Sequence, residues 1–254
     1  MTDLIVFSVA NNRYALNIEN IQRIIEAPVL TDIPNAHPLI DGMISHEDSV
    51  IKILSFRKLT GLVSYKTELK ELFITLKESH KVWIKELELA LTTGSEFSKT
   101  TNPHVCELGV WIDAFTSYDN TVASVYKELL EYHKMLHTRG GDALEVYEKD
   151  KARALSIYKD EIKSIYTHTI GALESFINKL DIVANSLQKL IIYENNNSVF
   201  AIKVDKIEDI AHIEDSQVIY SGDDEQKNEF LELDGILDID SVLINVIKSI
   251  KIPK

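Results

Sequence analysis

The stretch "YALNIENI", residues 14–21, returns near the other end of the chain as "FAIKVDKI", residues 200–207. The two agree in character at every position: aromatic, alanine, aliphatic, polar, aliphatic, acidic, polar, isoleucine. They lie 186 residues apart. Two more pairs follow at a spacing of 193, "DGMI" at 41–44 with "DGIL" at 234–237, and "VIKIL" at 50–54 with "LINVI" at 243–247. Apolar residues alternate over short runs in these segments, which is the period-two signal of half-buried strands. "LIVFSV" at 4–9 adds another strand, and Asn11–Asn12 after it suits the positive φ of a tight hairpin turn. A repeat of two copies set this far apart is no solenoid, which stacks at least about three at shorter spacing. It predicts two related β units separated by an insertion.

Between about 66 and 187 the period changes. Proline occurs there once, at Pro103, and apolar residues recur at helical spacing. Leu69, Leu72, Phe73, Leu76, Trp83, Ile84, Leu87 and Leu91 form one face of a first helix, and His80 falls on that face. Val122, Val125, Tyr126, Leu129 and Leu136 form the face of a later helix. It also carries His133 and His137, one turn apart. "GGD" at 140–142 predicts a break, with Asp142 and Glu145 spaced as a capping box for a long last helix. The insertion is therefore expected to be a helical bundle, and the whole chain to be α+β.

Composition sets bounds on function. A chain of 254 residues, 45% hydrophobic and 26% charged, is long enough for one large domain or two ordinary ones. Its formal net charge of -13 argues against binding a phosphate backbone, because nucleic-acid binders concentrate positive charge. No run of about 18 apolar residues is present to span a membrane. The opening "MTDLIVFSVANN" has neither a basic leader nor a small-residue cleavage site. The single cysteine, Cys106, cannot form an intrachain disulfide. A cytoplasmic protein is expected, with proteins or small solutes as partners and no nucleic acid or membrane insertion.

Three imidazoles aimed at one apolar core require an account, since a buried polar ring without a partner costs about 1–3 kcal/mol. One account is a core histidine bonded to a backbone carbonyl, the commoner fate of a lone inward ring. The other is zinc, which takes a tetrahedron of His nitrogen and Cys sulfur. His133 and His137, at i and i+4, can reach one ion from the same helical face, and Cys106 would complete the set. His104 sits beside Asn102 and Pro103 in an expected loop, and His168 lies away from this pattern.

At this point two resemblances become specific. The insertion resembles a chemoreceptor zinc-binding domain, carried by His80 with Trp83, by Cys106 with Leu108, Gly109 and Trp111, and by His133 with His137. The resemblance implies a four-helix bundle holding Zn2+ through His80, Cys106, His133 and His137. Leu108 and Trp111 would pack into the bundle while Gly109 allows a close backbone turn. The flanks resemble the CheW-like chemotaxis coupling family, on "LIVFSVANNRYALNIENIQRIIE", "IPNAHPLIDGMI", "VIKILSFRKLTGL", "FAIKVDKIEDI" and "LDGILDIDSVLINVI". That family's fold is two small β-barrels around a shared core. The implied organisation is a discontinuous CheW-like domain, with its first β subdomain at 1–64 and its second at 188–254, interrupted by the zinc-binding bundle at 65–187.

The resemblances imply a non-enzymatic chemotaxis adaptor. It would dock on a chemoreceptor cytoplasmic tip, a chemotaxis histidine kinase, or both, and couple zinc or oxidant sensing through Cys106 to that docking. Related zinc domains tend to dimerise, so a homodimer is a further expected form. Two other readings stand beside this one: a scaffold stapled by zinc for structure alone, and a zinc-dependent hydrolase. The hydrolase needs an open coordination position, and no His-Glu-x-x-His motif is present. One departure bears on the partner. Glu47 and Asp48 stand where the coupling family has an arginine and a glycine, a charge reversal that would repel an acidic surface.

Overall fold

The computed structural model describes residues 2–28, 30–116, 120–195, 197–214, 217–219 and 228–253. Its backbone divides into two units, Met1–Tyr65 with Ala184–Lys254, and Lys66–Val183.

The first unit is built from β1 (Thr2–Val9), β2 (Asn12–Asn17), β3 (Ile21–Glu26), β4 (Ile40–His46), β5 (Ser49–Ser55) and the short α1 (Phe56–Leu59). After the insertion come β6 (Lys189–Asn195), β7 (Ser198–Val204), β8 (Lys206–Ile213), β9 (Val218–Ile219), β10 (Leu231–Ile239) and β11 (Val242–Ile250). They form a six-stranded sheet in the order β8-β1-β2-β11-β10-β9 and a five-stranded sheet in the order β3-β6-β7-β5-β4. β8-β1-β2-β11-β10 corresponds in turn to β3-β6-β7-β5-β4, and the sixth strand, β9, matches only the isolated bridge between Thr31 and Met43. Each half of the repeat has given its first two strands to the other: β11 pairs in parallel with β2, and β5 in parallel with β7.

Side-chain packing follows the same symmetry. Leu4, Val6, Ala15, Leu237, Ile244 and Val246 fill a core on the six-stranded sheet. Their repeat partners Leu190, Ile192, Ala201, Ile44, Ile51 and Ile53 fill one on the five-stranded sheet. A third core draws on both sheets, with Phe7, Tyr14 and Leu16 against Tyr193, Phe200 and Ile202. This is the α+β architecture of paired β modules around a shared core. Gly42 and Gly235 occupy equivalent bulges, where the pairing register shifts. An added Cβ would stand 2.7 Å from the Thr31 carbonyl at Gly42 and 2.4 Å from the Ile219 carbonyl at Gly235, so both positions exclude a side chain.

Two details depart from the sequence expectation or go beyond it. In the β1–β2 hairpin the left-handed residue is Ala10, at φ 51°, and the turn falls one residue earlier than the Asn11–Asn12 pair suggests. The cause is tertiary, because the Ala10 N–H donates to Asp205 at 2.8 Å. The same carboxylate receives Arg57 Nε and Nη2 at 2.8 and 2.6 Å and Gln188 Nε2 at 3.0 Å. Arg57 is buried, so its charge depends on this partner. The β4–β5 tip is the exposed Glu47–Asp48 turn, with Glu47 at φ 50°. Its repeat counterpart is Asp240–Ser241, at φ 52° and 66°.

The second unit contains α2 (Tyr65–Thr93), α3 (Glu107–Ala114) and α4 (Asn120–Tyr147). A fourth helical column joins α5 (Lys151–Ile157), a π-helical turn (Tyr158–Ile162) and α6 (Lys163–Ile177). After it, α7 (Leu180–Leu187) carries the chain across the second boundary. α2 stops at Gly94, whose φ of 79° is the usual left-handed helix end. The expected break at residues 140–142 is absent, and α4 continues through both glycines to Tyr147. Gly140 serves packing instead: a Cβ there would stand 2.4 Å from the Trp83 ring. Asp142 accepts from Arg139 at 2.8 Å rather than capping a new helix. The N-cap falls at Asp150, which accepts from the Arg153 N–H at 2.9 Å.

Candidate metal centre

α2 places His80 on its buried face, and α4 places His133 and His137 on its own. Cys106 arrives from the loop before α3, as that helix's N-cap. Its Sγ accepts the Gly109 N–H at 3.2 Å. Gly109 is needed because a Cβ would lie 1.6 Å from the Pro103 carbonyl, so the loop can fold back on α3 only over a glycine. Leu108 is fully buried. Trp111 is half-buried, with its ring 4.7 Å from Phe73 and 5.4 Å from Phe176.

The donor atoms of His80, Cys106, His133 and His137 all lie within 4.8 Å of one another. A tetrahedral ion with 2.0–2.3 Å bonds spaces its donors roughly 3.3–3.8 Å apart, close to what these four side chains present. Cys106 Sγ is 3.0 Å from His133 Nε2. The other nitrogens fix the tautomers. His80 Nδ1 lies 2.8 Å from the Leu76 carbonyl and His137 Nδ1 3.2 Å from the Thr100 carbonyl. A carbonyl only accepts, so each Nδ1 carries the proton and each Nε2 a lone pair. Those two Nε2 atoms are buried and have no partner among the described residues. The donor set therefore fits zinc: two orphaned lone pairs, a third imidazole nitrogen and a thiol, all facing one point.

Electrostatics agree with neutral rings. Burial holds His133 down to about 2, reinforced by His137, His80 and His104. Burial also holds His137 down to about 4, with His80 adding to it and the Thr100 carbonyl opposing. His80 is lowered by burial against the pull of the Leu76 carbonyl. Burial pushes the Cys106 thiol up, despite the N–H groups of Gly109 and Leu108. Without a cation among them the four groups are poised as neutral donors. A cavity of about 350 Å³ reaches His80, Cys106 and His137 past Ser79, Val82 and Lys99.

The other two histidines of the helical unit lie apart from the cluster. His104 is exposed and pairs with Asp113 at 2.8 Å. His168 is exposed, bonded to the Ser164 carbonyl and stacked on Tyr132 at 4.8 Å. What the sequence does not reveal is the outer layer, the carbonyls of Leu76 and Thr100. Backbone acceptors carry no side-chain signature, although Leu76 at i−4 from His80 is the helical position from which one could be inferred.

A helical module that gathers three imidazoles and a thiol, set in sequence between the halves of a two-sheet β scaffold, defines a modular protein with a metal-type donor cluster. Residues 3–84 match the family model of the CheW-like domain, and residues 80–144 match that of the chemoreceptor zinc-binding domain. Both matched ranges end before Ala184. Among solved structures the chain is similar to the scaffolding protein TtCheW from Thermoanaerobacter tengcongensis. Identity is 12% and the TM-score 0.45, over 97% of this chain and 84% of that one. No curated protein matches the chain. Among the described residues no helix is long and apolar enough to cross a membrane.

Proposed function

We propose that the chain is a non-enzymatic, cytoplasmic chemosensory adaptor with a built-in zinc module. Residues 1–64 and 188–254 act as the coupling part, which docks on a chemoreceptor cytoplasmic tip, a chemotaxis histidine kinase, or both. Residues 65–187 act as the sensor. His80, His133 and His137 donate nitrogen lone pairs to Zn2+, and Cys106 donates sulfur. The observation that carries this reading is the convergence of four donor atoms within 4.8 Å, two of them buried nitrogens with no other partner among the described residues.

Bound zinc supplies a Lewis acid that keeps the Cys106 thiol deprotonated. As a thiolate, Cys106 is the form that oxidants attack. With hypochlorous acid the sulfur gains oxygen to become sulfenic acid and chloride leaves. Cys106 then no longer offers a thiolate, and three histidines hold the ion less firmly. Zinc loss and thiol oxidation thus act on the same four residues, and either would alter docking by the coupling part. Four protein donors favour this role over hydrolysis, which keeps a position open for water.

The test is metal analysis of the purified chain, paired with capture on a chemoreceptor tip and a chemotaxis kinase, with and without chelator. One zinc per chain and a change in capture on chelation are expected. A chain that binds neither zinc nor these partners would sink the proposal, and capture indifferent to zinc would leave the metal a structural staple.

A further inference from the structure

The Thr100 carbonyl accepts two hydrogen bonds, from His137 Nδ1 at 3.2 Å and from the Trp83 indole Nε1–H at 2.8 Å. A carbonyl oxygen has two lone pairs, so both are used. Trp83 follows His80 by three residues on α2, its ring lies 5.0 Å from the His137 ring, and Gly140 on α4 leaves the space it fills. One indole thus ties the helix of His80 and the loop that leads to Cys106 to the helix of His137. We propose that Trp83 is a positioning residue of the metal centre: its N–H anchors the Thr100 carbonyl, which holds His137 in the tautomer that presents Nε2. This goes beyond packing, since a hydrocarbon ring of equal size would fill the same space without holding the carbonyl. It rests on reading the four-residue cluster as the zinc ligands.

The test uses the full chain with Trp83→Phe, and with Trp83 alone replaced by its benzothienyl analogue, which keeps the bicyclic shape and loses the N–H. Zinc affinity is measured by competition with a fluorescent chelator. The His137 tautomer is read in the zinc-free chain from long-range 1H–15N correlations. Outer-layer losses at metal sites cost about 10–100-fold in affinity, and a drop of that size is expected for both replacements. His137 should show mixed tautomers, while the metal-free helical signal stays near wild type. Wild-type affinity with His137 still protonated on Nδ1 in the benzothienyl chain overturns the proposal, as does a loss confined to Trp83→Phe, which would assign the effect to bulk. His133→Ala is run alongside to separate the two readings. Undiminished zinc binding there overturns the ligand assignment and this proposal with it; weakened binding there, with no effect at Trp83, overturns this proposal alone.

Discussion

Cys106 Sγ and His133 Nε2 stand 3.0 Å apart, 27 residues distant in sequence. A thiol and an imidazole this close share either a proton or a cation. Cobalt distinguishes the two, because a cobalt–thiolate bond adds a charge-transfer band in the near ultraviolet that histidine ligands do not give. The chain loaded with Co2+ is expected to show that band. Cys106→Ser should abolish it and weaken zinc binding by at least about tenfold, as loss of an outer-layer partner alone does at metal sites. A cobalt spectrum unchanged in Cys106→Ser would place the sulfur outside the coordination sphere.

Acid should destabilise the metal-free helical unit. In the unfolded chain imidazoles titrate near about 6.5, while burial keeps His137 neutral in the folded bundle down to about 4 and His133 lower still. As pH falls through the unfolded value, the unfolded state takes up protons that the folded state refuses, and stability falls with it. His137's share of the loss runs from the unfolded value down to about 4, where it protonates in the folded bundle too, and His133 extends the loss to about 2. Metal-free chain is therefore expected to melt several degrees lower at pH 5 than at pH 7.5, followed by helical circular dichroism. His133→Leu should flatten that dependence. Equal melting temperatures at the two pH values would contradict the neutral, buried rings.

Two helical glycines should respond in opposite directions to alanine. Gly to Ala inside a helix ordinarily gains about 0.5–1 kcal/mol. Gly171 on α6 has open space around its missing Cβ, and Gly171→Ala should deliver that gain. At Gly109 a Cβ would fall 1.6 Å from the Pro103 carbonyl, so the segment carrying Cys106 must move. Gly109→Ala is expected to lower both the melting temperature and zinc affinity. A stabilised, zinc-competent Gly109→Ala chain would show that the close approach is dispensable.

The repeat was legible because both copies keep alternation on the same faces, and the pairs at 186 and 193 residues map onto equivalent strands β2 and β7, β4 and β10, β5 and β11. The exchange of leading strands was not, since a repeat specifies the order within a unit and not which copy supplies a neighbour. Spacing placed His80, His133 and His137 on inward helical faces but left a core role open for each; the four-residue set with Cys106 was legible only through the resemblance to the zinc-binding domain. "GGD" misled because a glycine that makes room for Trp83 and a glycine that ends a helix are the same letter. Ala10 could not have been singled out, because its left-handed φ is held by Asp205, 195 residues away.

The β4–β5 tip offers a test of partner choice. Glu47 and Asp48 are exposed, and they supply two of the negative charges in a chain whose net charge is -13. Replacing them as Glu47→Arg with Asp48→Gly changes local charge by +3 and leaves the fold alone. Arginine tolerates the φ of 50° at position 47 no worse than glutamate does, and neither side chain is buried. If the docking surface of the partner is acidic, the double variant should bind more tightly at low salt, through a faster association rate, and the gain should shrink as ionic strength rises past the Debye regime of about 0.1 M. If the tip meets a basic surface, the same variant should bind more weakly, with the opposite salt dependence. Affinity and salt dependence unchanged from wild type, measured by surface-immobilised binding to receptor tip and kinase, would remove the β4–β5 tip from the docking surface altogether.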